Sequence, residues 1–541
     1  MKKHLQKLAA ALLCAALLAG LGAVGAAAEG PQRPDDMTYL LYDVADVAAK
    51  ALLKGITLLI PPFGTPCKMP ESTNFFPGEP FAAEPGDAWQ LGYAKASLIE
   101  DLDPEFVKTL FVTGSLDIIG KRTVTDVLDD PMAHVTALGD GTRTAVFVSL
   151  SAFGITSYDV GNIRAALKEF AAQKGIVSIN VSALHQHSTI DTLGMNGNVL
   201  AGLFLNSFAL LTGWYPPFSG KNREYMKHVT EVVKDTVEKA VGAMEPGALY
   251  YGKADVEEYI NPKRAPYDCF DKYFHRLRFV PSAAGKPETW LCNAAIHTTG
   301  LGTSKTEVSA DFPYWIGEHL AEHTANGVKG VNFQFIQGAQ LAMGIRFDEP
   351  MPEGTTGWKR MERYGQLLAD KLKGITVEKP LPALLNIAHR EYTVVADNPL
   401  HLLFFRLGII DSTGRKLDPA GLLLELKTEV GYMELGGKVA VALVPGEMEP
   451  ALAFDTTGVG LPADQAYRRT EFKFTPMCNM LDSSIEDFMV FGLTNDQVGY
   501  MPLPNDIAHF VAFGNEEVNT SSTKIAPATL AAFQALVDSV R

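Results

Sequence analysis

The chain has 541 residues, 47% of them hydrophobic and 20% charged, with a formal net charge of -15. That is ordinary globular composition, long enough for a large core and one or two domains. No basic block offsets the acidity, which excludes nucleic acid as a partner and any general attraction to anionic headgroups; membrane contact would have to be local and apolar.

The N-terminus reads as an export signal. Lys2, Lys3 and Lys7 precede an apolar run over residues 8–28 that ends in Ala26-Ala27-Ala28, the order of a signal peptide. The run is also long enough to span a bilayer. Its Ala and Gly content favours cleavage near Glu29 and an extracellular or cell-surface protein. Beyond it, Cys67, Cys269, Cys292 and Cys478 are widely spaced and form no CxxC pair, so neither a zinc ribbon nor a disulfide framework is required.

Residues 29–88 read as an extension. An amphipathic helical pattern over 39–60 mixes Asp43, Asp46, Lys50 and Lys54 with apolar residues and stops at Pro61-Pro62. Its polar face is not basic, which favours packing on the main domain over a place on a membrane. From Trp89 the character changes. The spacing predicts strands over 144–150 (TAVFVSL), 176–184, 288–297 and 438–444, and helices over 160–174 and 225–244. In the first helix Ile163, Leu167 and Phe170 share one side. Alternating strands and helices predict an α/β layered domain with a mixed sheet over 89–541.

Strand ends are where α/β domains place their chemistry. Four such ends carry metal-ligand residue types. His185-Gln186-His187-Ser188 follows the strand ending near 184; if that strand persists, both imidazoles face one side. His297 follows another strand. Pro445-Gly446 turns Glu447 out beyond a third. Tyr500 closes the segment Asn495-Asp496-Gln497-Val498-Gly499-Tyr500. Each has a plain alternative: a surface histidine pair, a hydrogen-bonded structural histidine, a solvated turn glutamate, a core tyrosine. Two imidazoles and a carboxylate suit a catalytic zinc that keeps one position open for water. Spacing alone does not say that these residues meet.

Taken in order, the motifs resemble the neutral, non-lysosomal ceramidase family. The resemblance rests on Trp89-Gln90-Leu91-Gly92-Tyr93, the block from Asp126 into Leu150, His185-Gln186-His187-Ser188 with Asp191-Thr192-Leu193-Gly194, Ala295-Ile296-His297 with Ser309-Ala310-Asp311, Val444-Pro445-Gly446-Glu447, and Gly492-Leu493-Thr494-Asn495 with Gly499-Tyr500. The resemblance implies Zn2+ held by His185, His297, Glu447 and Tyr500. It places His187 beside the metal, facing substrate or the attacking water, and Arg264 near the site. A surface salt bridge is the plain reading of Arg264. Two departures stand out. Gln337-Gly338-Ala339-Gln340 continues as Leu341-Ala342-Met343-Gly344-Ile345, where the family carries Gly-Asp-Val-Ser-Pro with an active-site serine. Thr189-Ile190 replaces the Gly-Pro that follows the family's histidine motif. The family's C-terminal immunoglobulin-like domain is not expected. The expected activity is hydrolysis of an N-acyl amide, ceramide or a related lipid amide, to fatty acid and amine. The alternatives are a zinc hydrolase of another acyl amide or ester, and a non-catalytic binding protein on the same fold.

Overall fold

The computed structural model describes residues 33–59, 81–114, 122–196, 219–263, 269–411, 413–419, 422–512 and 518–541. The predicted signal segment and Arg264 lie outside the described residues. The N-terminal pattern forms α1 (Asp36–Leu59). Eight main strands follow: β1 (Trp89–Ser97), β2 (Met132–Gly139), β3 (Thr144–Leu150), β4 (Ile176–Ala183), β5 (Glu245–Asp255), β6 (Tyr273–Pro281), β7 (Thr289–Ala294) and β8 (Asn332–Gln337). They make one sheet in the order β8-β7-β6-β5-β1-β2-β3-β4, and a short β9 (Lys379–Leu381) pairs with β5. Only β3–β4 and β7–β8 are parallel; the others run antiparallel.

A second sheet holds β10 (Leu385–Ala396), β11 (Gly414–Lys416), β12 (Leu424–Leu435), β13 (Val439–Leu443) and, past the two-residue β14 (Glu447–Met448), β15 (Asp487–Phe491). β14 pairs in parallel with β16 (Tyr500–Met501). The sheets stack face to face. Trp89, Phe147, Phe279 and Leu291 of the first meet Ile387, Met433, Val441 and Phe491 of the second in one buried cluster.

Helices close the outer faces. α2 (Ser157–Lys174) and α3 (Arg223–Gly242) lay Ile163, Leu167, Val229 and Val233 on Val146, Val148 and Val181. α4 (Phe312–Ala321) and α5 (Gly357–Lys373) cover Trp290 and Phe335. α6 (Pro399–Leu407) lies beside the second sheet, and α7 (Ile525–Val540) covers it with Phe533 and Leu536 against Tyr432. The result is a helix–sheet–sheet–helix domain. The mixed α/β layering agrees with the expectation, and the two predicted helices begin at capping side chains. Thr156 caps α2 by accepting from the Asp159 amide, Gly175 ends it at φ 65°, and Asn222 caps α3. Among the described residues Cys269, Cys292 and Cys478 are free thiols.

One buried ion pair joins the layers. Arg164 on α2 donates from its two terminal nitrogens to Glu429 on β12 at 2.9 and 2.7 Å, and from Nε to the Ile179 carbonyl of β4 at 3.0 Å. Burial alone would raise the Glu429 carboxyl, but the guanidinium holds it down to about 2. A carboxyl depressed on folding contributes stability above its ordinary value of 4.5, and that contribution fades as pH falls towards 2. Arg164→Met leaves a buried charge unpaired and should cost about 3–5 kcal/mol at neutral pH. In urea unfolding, the gap between wild type and variant should narrow as pH falls through that window.

Candidate functional site

Four strand ends converge between the sheets. β4 stops at Ala183, and His185 sits at φ 59°, in the left-handed region. The strand therefore does not persist through the histidine pair, contrary to the parity expectation. The two rings still meet, 4.8 Å apart and nearly perpendicular, because the left-handed turn redirects the chain. Seven described non-glycine residues have positive φ. Four of them, His185, Ala342, Leu493 and Asn495, lie in segments that build this site.

The side-chain geometry follows from what holds each ring. The Nδ1 of His185 donates to the Phe153 carbonyl at 2.7 Å, and that of His297 to the Gln340 carbonyl at 3.1 Å. Carbonyls only accept, so each Nδ1 carries the proton and each Nε2 presents a lone pair. Both Nε2 atoms lie 3.2 Å from the same oxygen, Oε2 of Glu447. The other oxygen, Oε1, accepts from Gln497 Nε2 at 3.3 Å. The Phe153 ring stacks on His185 at 4.4 Å between centroids.

Glu447 is 2% exposed, so it is not a solvated turn residue. Burial pushes its carboxyl up, and only positive charge beside it, on protonated His185 and His297 or on a cation held in place of those protons, brings it below the ordinary carboxylate range. Burial pushes His297 down, and His187 further, so both are neutral near pH 7. An ionised carboxylate oxygen facing two imidazole lone pairs, with no hydrogen bond of its own, is an arrangement a cation completes. A tetrahedral zinc site with bonds of roughly 2.0–2.1 Å spaces its ligand atoms by roughly 3.3–3.4 Å. The 3.2 Å spacings fit that edge.

His187 lies on the same side. The ligand nitrogens of His185, His187 and His297 fall within 4.8 Å of one another, a buried histidine group able to hold a metal ion. Neither ring nitrogen of His187 has a hydrogen-bond partner. Tyr500 enters through backbone pairing, since Glu447 and Tyr500 are register partners in the β14–β16 pair. Their close approach requires Gly446, where a Cβ would stand 2.5 Å from the Gly499 carbonyl oxygen.

Three contributors escaped the sequence reading. Phe153 had no motif to mark it. Gln337 was read only as part of a departing segment. Its amide donates to the carbonyls of Leu184 at 3.0 Å and Ile296 at 2.8 Å, the residues just before His185 and His297. Lys263 is a half-buried cation whose charge His187 and His297 both feel. Burial lowers its ammonium pKa, and no carboxylate of the described residues pairs with it. Its only signal was its position next to Arg264.

No family model matches the chain, and no curated protein sequence matches it. Solved structures do. The chain superposes on neutral ceramidase from Pseudomonas aeruginosa with a TM-score of 0.58 at 14% identity, over 84% of this chain and 74% of that one. A second structure, a ceramidase complexed with C2, gives a TM-score of 0.57 at 14% identity, over 84% and 75%. The fold is therefore a neutral ceramidase-like layered domain.

The bridging amide gives a direct test. Gln337→Leu keeps the volume and removes both donors; the Leu184 carbonyl keeps the Thr298 hydroxyl, and the orphaned Ile296 carbonyl should cost about 1–3 kcal/mol. Denaturant unfolding should register that loss, with Gln337→Glu, which keeps the side-chain shape but has no NH2 to donate, close behind.

Proposed function

We propose that this protein is a zinc-dependent hydrolase of N-acyl amides, acting on ceramide or a related lipid amide. The observation that carries the reading is the convergence of two tautomer-fixed imidazole lone pairs on one buried carboxylate oxygen. His185, His297 and Glu447 would hold the zinc, with Tyr500 as the fourth ligand. A zinc there would supply Lewis acidity toward the amide carbonyl and toward water near neutral pH. The remaining work falls to the chain. The Phe153 and Gln340 carbonyls keep both Nε2 atoms aimed inward, and Gln497 fixes the rotamer of Glu447. His187, neutral and with an unpartnered ring nitrogen, takes a proton from the attacking water and returns it to the departing amine. Arg264 is assigned to the catalytic site by resemblance alone. Solved structures that share the fold include ceramidases, which supports a lipid amide as substrate.

The same reading takes residues 1–28 as an export signal, 29–88 as an extension and 89–541 as the catalytic domain. A second substrate reading has its own support. Lys263 packs where Gly344 leaves room, 3.2 Å from an added Cβ to its Nζ, in the segment that lacks the family's serine. A cation there suits an acyl amide bearing a carboxylate, such as an N-acyl amino acid.

Metal analysis should find about one zinc per chain. His297→Ala and Glu447→Ala should each lose most of it, and full occupancy in both would remove these residues from the site. His187→Ala should keep zinc and lose roughly a hundredfold or more of its turnover, whereas His185→Ala should lose both. Lys263→Met should raise KM for N-acyl amino acids and leave ceramide unaffected if the second substrate is the true one. Zinc-loaded wild type that turns over no ceramide, N-acyl amino acid or ester would identify a binding protein instead.

A further inference from the structure

α1 is built inside out. An amphipathic helix on a globular domain normally turns its apolar side inward. Here the polar side packs. Asp43 Oδ1 lies 2.7 Å from His509 Nε2, Asp46 Oδ1 accepts from the Val511 amide at 3.1 Å, and Arg469 pairs with Asp36. The Tyr39 ring meets His509 at 4.7 Å, while Leu53 and Thr57 are buried on the same side.

The opposite side carries Met37, Leu40, Leu41, Val44, Val47, Leu52 and Leu58, each between 46% and 72% exposed. Eleven large hydrophobic side chains are exposed among the described residues, and seven of them belong to this one helix. At 100° per residue they fall on one face, with Ala48, Ala51 and Gly55 between them and no charged residue among them. From Met37 to Leu58 the stripe runs roughly 32 Å at 1.5 Å per residue. A continuous charge-free face of that length marks an interaction surface.

We propose that this face docks α1 flat on the surface of a lipid bilayer. Three observations favour lipid over a protein partner. The face is a smooth row of aliphatic side chains without an aromatic or arginine anchor of the kind that dominates protein interfaces. Asp36, Asp43, Lys50 and Lys54 border the face along one side, so the helix is too charged to cross, and no described helix is long and apolar enough to do so. Finally, where the apolar run of residues 8–28 is retained rather than cleaved, only residues 29–35 separate it from α1. Seven extended residues reach about 25 Å at most, which keeps α1 beside any membrane the run enters. The near balance of charge on the helix makes the interaction apolar, insensitive to salt and independent of acidic lipid. The proposal stands apart from the catalytic reading, since it needs neither zinc nor turnover.

The test uses the full chain and vesicles of zwitterionic phosphatidylcholine. Val44→Asp combined with Val47→Asp lies on the exposed side, so thermal unfolding should match wild type while vesicle partitioning falls about tenfold or more at both low and high salt. Val47→Trp tests the contact directly, even where residues 8–28 hold the chain to the vesicle. Relative to wild type, its added fluorescence should shift to the blue and be quenched by brominated phosphatidylcholine. An added signal that ignores brominated lipid overturns the proposal. So does light scattering that finds a wild-type dimer converted to monomer by the double aspartate variant, which would make the occupant a second copy. Loss of thermal stability in that variant together with an unquenched Val47→Trp would instead place another part of this chain on the face.

Discussion

The site depends on one buried side-chain amide. Gln337 ends the last long strand of the first sheet and donates to the carbonyls of Leu184 and Ile296. Those carbonyls belong to chain segments that have just left β4 and β7, near opposite edges of the sheet order. No backbone ladder can join them, because each has run past its pairing strand. An amide with two hydrogens can serve both, and Thr298 adds its hydroxyl to Leu184 at 2.7 Å and to His185. With the preceding carbonyls pinned, the imidazoles of His185 and His297 have little freedom except at their own torsions, and those are taken by Phe153 and Gln340.

The second sheet is tied to the same point by a polar network. Asn495, at φ 68°, donates to Glu429 at 2.8 Å and Asn180 at 3.1 Å, and accepts from the Val181 amide at 2.9 Å. Glu429 is the partner of Arg164, so the ion pair between layers also fixes the turn that leads into Gln497 and Tyr500. Asn293 crosses the other way, from β7 to the Ile336 and Val490 carbonyls. Buried polar groups this dense are costly unless satisfied. Several atoms nearest the histidines are not: both nitrogens of His187, Oε2 of Glu447 and the side-chain amide of Gln340. The satisfied network holds the frame rigid, and the unsatisfied groups gather where a ligand would complete them.

The segment after Gln337 shows how backbone alone can hold a side chain. Residues 340–345 brace His297 through their carbonyls. The Gln340 carbonyl takes its Nδ1, and the Met343 carbonyl takes its amide at 2.8 Å. Ala342 adopts φ 62° to allow this, and Lys263 lies over Gly344. Backbone bracing of this kind tolerates a change of side chain at residues 341–345 while the histidine geometry stays fixed.

The sequence by itself determined the local elements. Short apolar runs marked β3, β4, β7 and β13, and apolar residues at helical spacing marked α2 and α3, because these signals are carried by neighbouring residues. It also marked His185, His187, His297, Glu447 and Tyr500, since each follows a strand or turn written in its own segment. The tertiary structure decided what no local signal carries: that two sheets stack, that β8 returns beside β7, and that Gln337 and Gln340 orient histidines about 150 and 40 residues away in sequence. It likewise decided which side of α1 is inside. The helix was legible from its pattern, but which face packs depends on Asp43 and Asp46 finding His509 and the Val511 amide more than 460 residues away. Periodicity fixes that a helix has two faces, and only the surface it meets decides which one is inside.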